Sequence, residues 1–152
     1  MLSKKDRSSL AGEFHTLAEL YKRGYNAFIT LGKCKQIDIV VKDGDDSLSV
    51  EVKARMSSGQ FLCNYPSSPS LKKVWVFVDM YKKNIDEPPD YYVLSAADLC
   101  KMGEKRAKEI KEREEARGKK YSAFSSLDVS LNDLENYNKG WELVKDMFDQ
   151  IK

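Results

Sequence analysis

Residues 36–55 read QIDIVVKDGDDSLSVEVKAR, two runs in which apolar and polar side chains alternate on either side of a short acidic segment. Alternation with a period of two is typical of β-strands that have one apolar face, and the DGDD segment predicts a hairpin turn between them. A turn at this point pairs Lys42 with Ser47 and, further along, Asp38 with Glu51. A shift of one residue would move apolar side chains onto the polar face, so the pattern specifies this register.

The predicted hairpin brings two carboxylates together, because residues directly opposite each other have Cβ atoms about 5 Å apart. Asp38 and Glu51 would repel each other there. A divalent cation reverses the repulsion, since Mg²⁺ takes hard oxygen ligands from one or two carboxylates together with substrate phosphate. The alternative is an edge-exposed hairpin in which Lys53, on the same face, neutralises two solvated acids.

Residues 3–23 predict a first helix that ends at Gly24. Its apolar side chains recur at helical spacing and are expected to face the core: Leu10, Phe14, Leu17, Ala18 and Tyr21. Glu13 lies within this apolar arc and needs a partner there, either a Lys or Arg at the edge of the core or a metal ion. His15 and Glu19 are expected to face solvent.

The rest of the chain predicts further strands and two more helices. Strands are expected at residues 25–30, 36–42, 47–55, 74–80 and 91–95, and helices at 96–117 and 130–151. The run Val74–Val78 is apolar without alternation, which is typical of a central strand covered on both faces. Segment 57–70 is rich in Ser and Pro and predicts a surface loop. Without an internal repeat or a linker, residues 1–152 are expected to form one domain.

Composition narrows the class of protein. The 152 residues are 41% hydrophobic and 33% charged, as in an ordinary globular domain. Neither a run of about 18 apolar residues nor an apolar segment after the N-terminal charges is present, so we expect a cytoplasmic protein that does not act at a membrane. Cys34, Cys63 and Cys100 are odd in number and far apart, which favours reduced thiols. A Cys₃His zinc site with His15 is the alternative, although no C-x-x-C pair supports it.

Positive charge is concentrated in one segment, although the formal net charge is only +2. Residues 101–120 hold nine Lys or Arg against five Glu. Such a run is equally typical of a solvated helix with i,i+4 ion pairs and of a surface that contacts phosphates.

The order Glu13, Ile37-Asp38 and Glu51-Val52-Lys53 resembles the core of the PD-(D/E)XK nucleases, with Ile37 in place of the namesake Pro. Stretches 75–79, 87–94 and 138–143 also resemble small bacterial proteins of the restriction-endonuclease-like kind, so the resemblance covers most of the chain. It implies an α/β fold with an αβββαβ core, a mixed central sheet flanked by helices, and extra C-terminal helices. Segment 57–70 is poor material for the helix that this core has after its third strand.

The resemblance also implies roles for individual residues. Asp38 and Glu51 would bind Mg²⁺, with Mn²⁺ as a second suitable ion, Glu13 would be an auxiliary acid, and Lys53 would orient or deprotonate the attacking water. The implied activity is metal-dependent phosphodiester hydrolysis, with DNA as the expected substrate of an endonuclease. The residues expected to contact nucleic acid are Lys35, Gln36, Arg55, Lys72 and Lys73. A catalytically inactive module that binds nucleic acid or protein is the alternative, and a homodimer is compatible with either.

Overall fold

The structure is a computed structural model that describes residues 1–30, 37–64, 66, 68–81, 83–118, 127–138 and 140–152, apart from the side chain of Leu127. Its helices are α1 (Lys4–Lys22), α2 (Ala96–Arg117), α3 (Leu131–Leu134) and α4 (Glu142–Ile151), with a 3₁₀ turn at Glu135–Tyr137. Its strands are β1 (Asn26–Ile29), β2 (Ile39–Asp43), β3 (Asp46–Arg55), β4 (Phe61–Cys63), β5 (Lys73–Asp79), β6 (Asp90–Ser95) and β7 (Leu127–Val129).

Five strands form a mixed sheet in the order β1-β2-β3-β5-β6. The pair β3–β5 is parallel and the other three pairs are antiparallel. Strands β4 and β7 form a separate antiparallel pair. The predicted mixed sheet flanked by helices, with additional helices at the C-terminal end, is therefore confirmed.

The register of the β2–β3 hairpin is the predicted one. Ile39 pairs with Val50, and the ladder continues without a slip to Asp43 and Asp46 at the turn. Gly44 in the turn has φ +62°, a conformation that glycine adopts without steric cost. β2 starts at Ile39, three residues later than predicted, and Gln36 lies outside the described residues.

Strand β5 is covered on both faces, as its unbroken apolar run predicts. Val74, Val76 and Val78 belong to a first core beneath α1 and α4, whereas Trp75 and Phe77 belong to a second core beneath α2, α3, β4 and β7. On β3 the odd-numbered residues from Ser49 to Arg55 point toward the side of the sheet that carries the second core.

Helix α1 spans the predicted helix to within one residue at each end and is capped by Ser3. Of the residues predicted to face the core, Leu17 packs against it, but the rest of the predicted buried face is wrong. The helix buries Ser8, Gly12, Thr16 and Leu20. Leu20 is the one large apolar side chain among them. Phe14 is 58% exposed, and Leu10 and Tyr21 are exposed as well. The cause is close packing on β3, since a Cβ at Gly12 would lie only 2.3 Å from the Cβ of Ala54.

His15 and Glu19 of α1 were both expected to face solvent, and only one of them does. His15 is exposed, as predicted. Glu19 is not: its side chain is only 15% exposed, because it is held by Lys22 and by Arg23. Arg23 in turn lies 4.6 Å above the ring of Trp141, so this ion-pair group ties α1 to the C-terminal segment.

Helix α2 has the predicted bounds, while the predicted helix over 130–151 is broken into α3, a 3₁₀ turn and α4. The break occurs where Asn138 forms a bridge with Tyr92 of β6. Gly140 follows, and a Cβ there would lie 3.3 Å from the carbonyl oxygen of Val93. In the described part of the chain no helix has the length and apolar character that a membrane span requires.

The connection from β3 to β5 contains no helix in its described residues, which are 56–64, 66 and 68–72. The Ser- and Pro-rich segment forms the loop that its composition predicts, with the short strand β4 inside it, a strand that the sequence pattern did not indicate. The pairing of β4 with β7 places Phe61 and Cys63 in the second core, beside the charged face of β3.

Candidate active site

Asp38 lies at the open end of the β2–β3 hairpin, immediately before β2 begins. Its amide donates to the carbonyl oxygen of Val50 at 3.0 Å, and its carboxylate Oδ2 accepts from the amide of Val52 at 2.7 Å. A side chain thus replaces a backbone partner for β3, and such local bonds compete with strand pairing. The carboxylate of Asp38 therefore lies against the peptide group between Glu51 and Val52. The regular β2–β3 ladder ends at Ile39 and Val50, one residue before the predicted pair of Asp38 and Glu51.

Glu51 is a buried carboxylate, 6% exposed, held by two lysines. Its Oε1 lies 2.7 Å from Nζ of Lys53, and its Oε2 lies 2.7 Å from Nζ of Lys73. The ammonium of Lys73 also lies 4.6 Å from the ring centroid of Trp75. Each lysine makes a single contact with the carboxylate, whereas an arginine could bind both oxygens at once through two parallel hydrogen bonds.

Glu13 lies on α1, is half-buried, and is close enough to Asp38 for the two charges to interact. Burial raises the pKa of the Glu13 carboxyl above its usual value, and the negative charge of Asp38 raises it further. No Lys or Arg of the described residues lies within 4 Å of the Glu13 carboxylate. Within the described residues, Glu13 therefore does not form the ion pair with a Lys or Arg at the edge of the core that the sequence offered as one alternative.

The chemistry of these oxygen atoms fits a hard divalent cation. Glu13 has no cationic partner within the described residues, and the Oδ1 atom of Asp38 has no hydrogen-bond partner there. The described residues contain no ready-made group of three His, Cys, Asp or Glu for a metal ion. Mg²⁺ does not need such a cage, because it commonly uses one or two carboxylates, waters and substrate phosphate. Full engagement of Glu51 would require one of its lysines to move.

The zinc alternative has its members in different places. Cys63 is buried in the second core, Cys100 lies on α2, and His15 is exposed on α1 beneath the opposite face of the sheet. Cys34 lies outside the described residues. Burial raises the pKa of Cys63 to about 12, and the charge of Glu51 adds to the shift, so this thiol is protonated at neutral pH.

The five residues predicted to contact nucleic acid are in different situations. Lys35 and Gln36 lie outside the described residues. Lys72 is exposed, and Lys73 is bound to Glu51. Arg55 donates through Nε and Nη2 to both oxygens of Asp79, at 2.9 and 2.7 Å, and through Nη1 to the carbonyl of Gly59. All three guanidinium nitrogens of Arg55 are thus engaged within the protein. The contact of Arg55 with nucleic acid stays a prediction, and this pairing does not favour it.

Sequence reasoning missed the partners that the rest of the sheet contributes to β3. Lys73 and Asp79 flank the apolar run of β5, and the parallel register places Lys73 beside Ser49 and Asp79 beside Arg55. The charged residue at each end of the apolar run is visible in the sequence and could have indicated ion pairs with β3. The register between β3 and β5 could not be read from the sequence, because a long crossover separates these strands, whereas a two-residue turn fixes β2 against β3.

Comparison with solved structures finds the same architecture elsewhere. A bacterial homing endonuclease, I-Ssp6803I, has a TM-score of 0.62 with this chain at 14% identity, over 99% of each chain. Hjc of Archaeoglobus fulgidus, a Holliday junction resolvase from an archaeal hyperthermophile, has a TM-score of 0.40 at 17% identity, over 59% of this chain and 74% of that chain. No family model and no curated protein matches the chain. The predicted restriction-endonuclease-like α/β fold is thus confirmed as a fold shared with the homing endonuclease.

Proposed function

We propose that this protein is a metal-dependent nuclease that hydrolyses phosphodiester bonds, with DNA as its substrate and an endonucleolytic mode of cutting. One observation carries the proposal: at the open end of the β2–β3 hairpin the Asp38 carboxylate accepts from the Val52 amide, between Glu51 and Lys53, which pair with each other, in a fold that a bacterial homing endonuclease shares over its whole length. The fold alone does not define an activity, so the argument rests on the side chains.

Asp38, Glu51 and Glu13 would supply the oxygen ligands. Their three negative charges exceed the two positive charges of Lys53 and Lys73, so the cluster has a net charge of about −1 when all five groups are ionised. Mg²⁺ held by these residues would supply positive charge to the scissile phosphate and to the leaving oxygen. The excess of carboxylates makes binding of such an ion favourable, because it relieves the repulsion between Glu13 and Asp38.

Lys53 would act on the reacting atoms. Its side chain is 28% exposed and can reach solvent, whereas its partner Glu51 is buried. With Glu51 holding a cation, the ammonium of Lys53 would be free to hold the attacking water and to stabilise the negative charge that develops on the phosphate. The water oxygen bonds to phosphorus, the bond from phosphorus to one sugar oxygen breaks, that oxygen takes a proton from solvent, and the water gives up a proton to solvent.

A second function is favoured by a different observation. Both oxygens of Glu51 are already paired with lysines, which is how a site that has lost its metal would neutralise a buried acid. In that case the protein binds nucleic acid without cutting it, and Lys72 and the basic residues of α2 contact the phosphates.

Cleavage assays with purified protein separate the two functions. Wild-type protein is incubated with duplex, single-stranded and branched DNA and with RNA, in Mg²⁺, in Mn²⁺ and in EDTA. A nuclease cuts at least DNA in a metal-dependent manner, and Glu51→Gln loses the cutting while retaining DNA binding. Asp45→Asn is the matched control, because Asp45 is an exposed acid at the tip of the same hairpin. Binding of DNA by the wild type without cleavage in either metal would leave only the second function.

A further inference from the structure

The described residues contain several features that the proposed mechanism does not use: the exposed apolar side of α1, the buried thiol of Cys63, a polar cavity between α2 and α3, and Lys73. Of these, Lys73 has the most complete set of contacts. It begins β5, its side chain is 18% exposed, and its ammonium lies between the Glu51 carboxylate and the face of Trp75.

We propose that Lys73 is a positioning residue for Glu51: it holds Oε2, so that Oε1 is the oxygen presented to a divalent cation and Lys53 is the lysine that is released. This inference rests on the proposed metal-dependent function. It replaces the sequence-based assignment of Lys73 as a contact for nucleic acid.

The two lysines differ in how firmly they are held. Lys73 has a second interaction, with the Trp75 ring at 4.6 Å, and its backbone is in the parallel ladder with β3. A cation over a tryptophan face is attracted by the ring quadrupole. Lys53 is the more exposed of the two, and in the described residues no aromatic ring lies against its ammonium. An incoming cation that competes for Glu51 therefore displaces Lys53 more readily than Lys73.

Removal of Lys73 should have two opposite effects. One positive charge disappears from beside a metal ligand, so Lys73→Met should bind Mn²⁺ more tightly, by roughly tenfold. With Oε2 no longer held, the freed carboxylate keeps Lys53 paired, so kcat at saturating Mn²⁺ and DNA should fall by roughly tenfold or more. Lys73→Arg keeps the charge and should restore both quantities toward wild type.

The experiment measures Mn²⁺ affinity by electron paramagnetic resonance without DNA, and kcat and KM for cleavage on the same preparations. Lys42→Met is the matched control, because Lys42 is an exposed lysine on β2 of the same sheet and has no part in the proposed site. The control should leave the Mn²⁺ affinity and kcat unchanged. Lys73→Gln, which retains a hydrogen-bond donor, serves as the second variant if Lys73→Met does not fold, and its effects should have the same signs.

Tighter Mn²⁺ binding with a lower kcat supports the inference. Unchanged Mn²⁺ affinity with a higher KM, unchanged kcat and a weaker salt dependence of DNA binding overturns it in favour of a phosphate contact. A parallel loss of stability, Mn²⁺ affinity and kcat overturns it in favour of a structural ion pair. If wild-type protein binds no Mn²⁺, the proposed function and the inference fail together, whereas wild-type binding with an unaltered variant refutes the inference alone.

Discussion

Glu51 and Arg55 lie on the same face of β3, yet their ion pairs are built differently. Arg55 meets both oxygens of the buried Asp79, donates to the carbonyl of Gly59, and lies against the rings of Phe61 and Tyr81. The amide of Tyr81 also donates to Asp79 at 3.0 Å. Planar, bidentate geometry of this kind leaves little that a ligand could replace.

The Glu51 group is open by comparison. Its carboxylate is held by two ammonium groups through one contact each. Asp38 and Glu13 interact with each other, and no cation of the described residues pairs with either carboxylate. The difference favours a structural role for the Arg55–Asp79 pair, and under the proposed function the Glu51 group is the one that a competing cation would rearrange. Substitutions in the two groups should therefore affect different measurements.

Arg55→Met should have the largest effect, on stability. Removal of one partner leaves Asp79 buried and unpaired, which costs about 3–5 kcal/mol in the free energy of unfolding. Urea unfolding without metal measures this loss. The double variant Arg55→Met, Asp79→Asn should recover part of it, because no buried charge remains, and a folded fraction that still cleaves would show that the pair is not part of the reaction.

Lys53→Ala should show the reverse pattern. Loss of one positioned donor costs about 10²–10³ in kcat, while stability should change by less than about 1 kcal/mol because Lys73 still neutralises Glu51. Single-turnover cleavage and urea unfolding on the same sample measure both. Lys42→Ala, at an exposed lysine of β2, is the control. A stability loss as large as that of Arg55→Met would make Lys53 a structural residue.

Asp38→Asn should weaken Mn²⁺ binding by on the order of tenfold. The asparagine oxygen can still accept from the Val52 amide, so the end of the hairpin keeps its bond and the unfolding midpoint should hold or rise as the repulsion with Glu13 is relieved. Calorimetric titration with Mn²⁺ and thermal unfolding test the two parts. Unchanged Mn²⁺ affinity would remove Asp38 from the metal site.

The smallest effect is expected for Glu13→Gln, on the pH dependence of stability without metal. The pKa of Glu13 is raised in the folded state, so the ionised side chain destabilises the fold above that pKa. This destabilisation is lost as the pH falls through the raised pKa toward the unfolded value of about 4.3. The variant should be the more stable protein at pH 7 to 8, and the difference should vanish on acidification. A constant difference between pH 4 and pH 8 would contradict the assignment.

Local pattern predicted those parts of the fold in which the partner residues are close in sequence. The β2–β3 register and the bounds of α2 are of this kind. The double burial of β5 could be predicted for a different reason, because the unbroken apolar run of the strand itself indicates it. The orientation of α1 is not, because it depends on how closely β3 approaches: Gly12 and Ala54 meet, and Phe14 is turned outward. The position of apolar residues around a helix does not indicate how closely the backbone of that helix approaches the sheet.

The candidate site divides in the same way. Asp38, Glu51 and Lys53 were found because one hairpin carries all three, and Glu13 because a carboxylate in an apolar arc is conspicuous. Lys73 was recognised as a cation, but its role depends on the parallel pairing of β3 with β5. The hydrogen bond that the Val52 amide donates to the Asp38 carboxylate could not be predicted either, since it replaces the backbone pair that alternation assumes.

A crystal structure with Mn²⁺, located by its anomalous scattering, tests the central claim most directly. The account predicts a Mn²⁺ ion bound by Asp38 and Glu51, with Nζ of Lys53 displaced from its 2.7 Å contact with Oε1 and Nζ of Lys73 still on Oε2. An absent peak, or Mn²⁺ bound elsewhere while both lysines keep their contacts with Glu51, would contradict it.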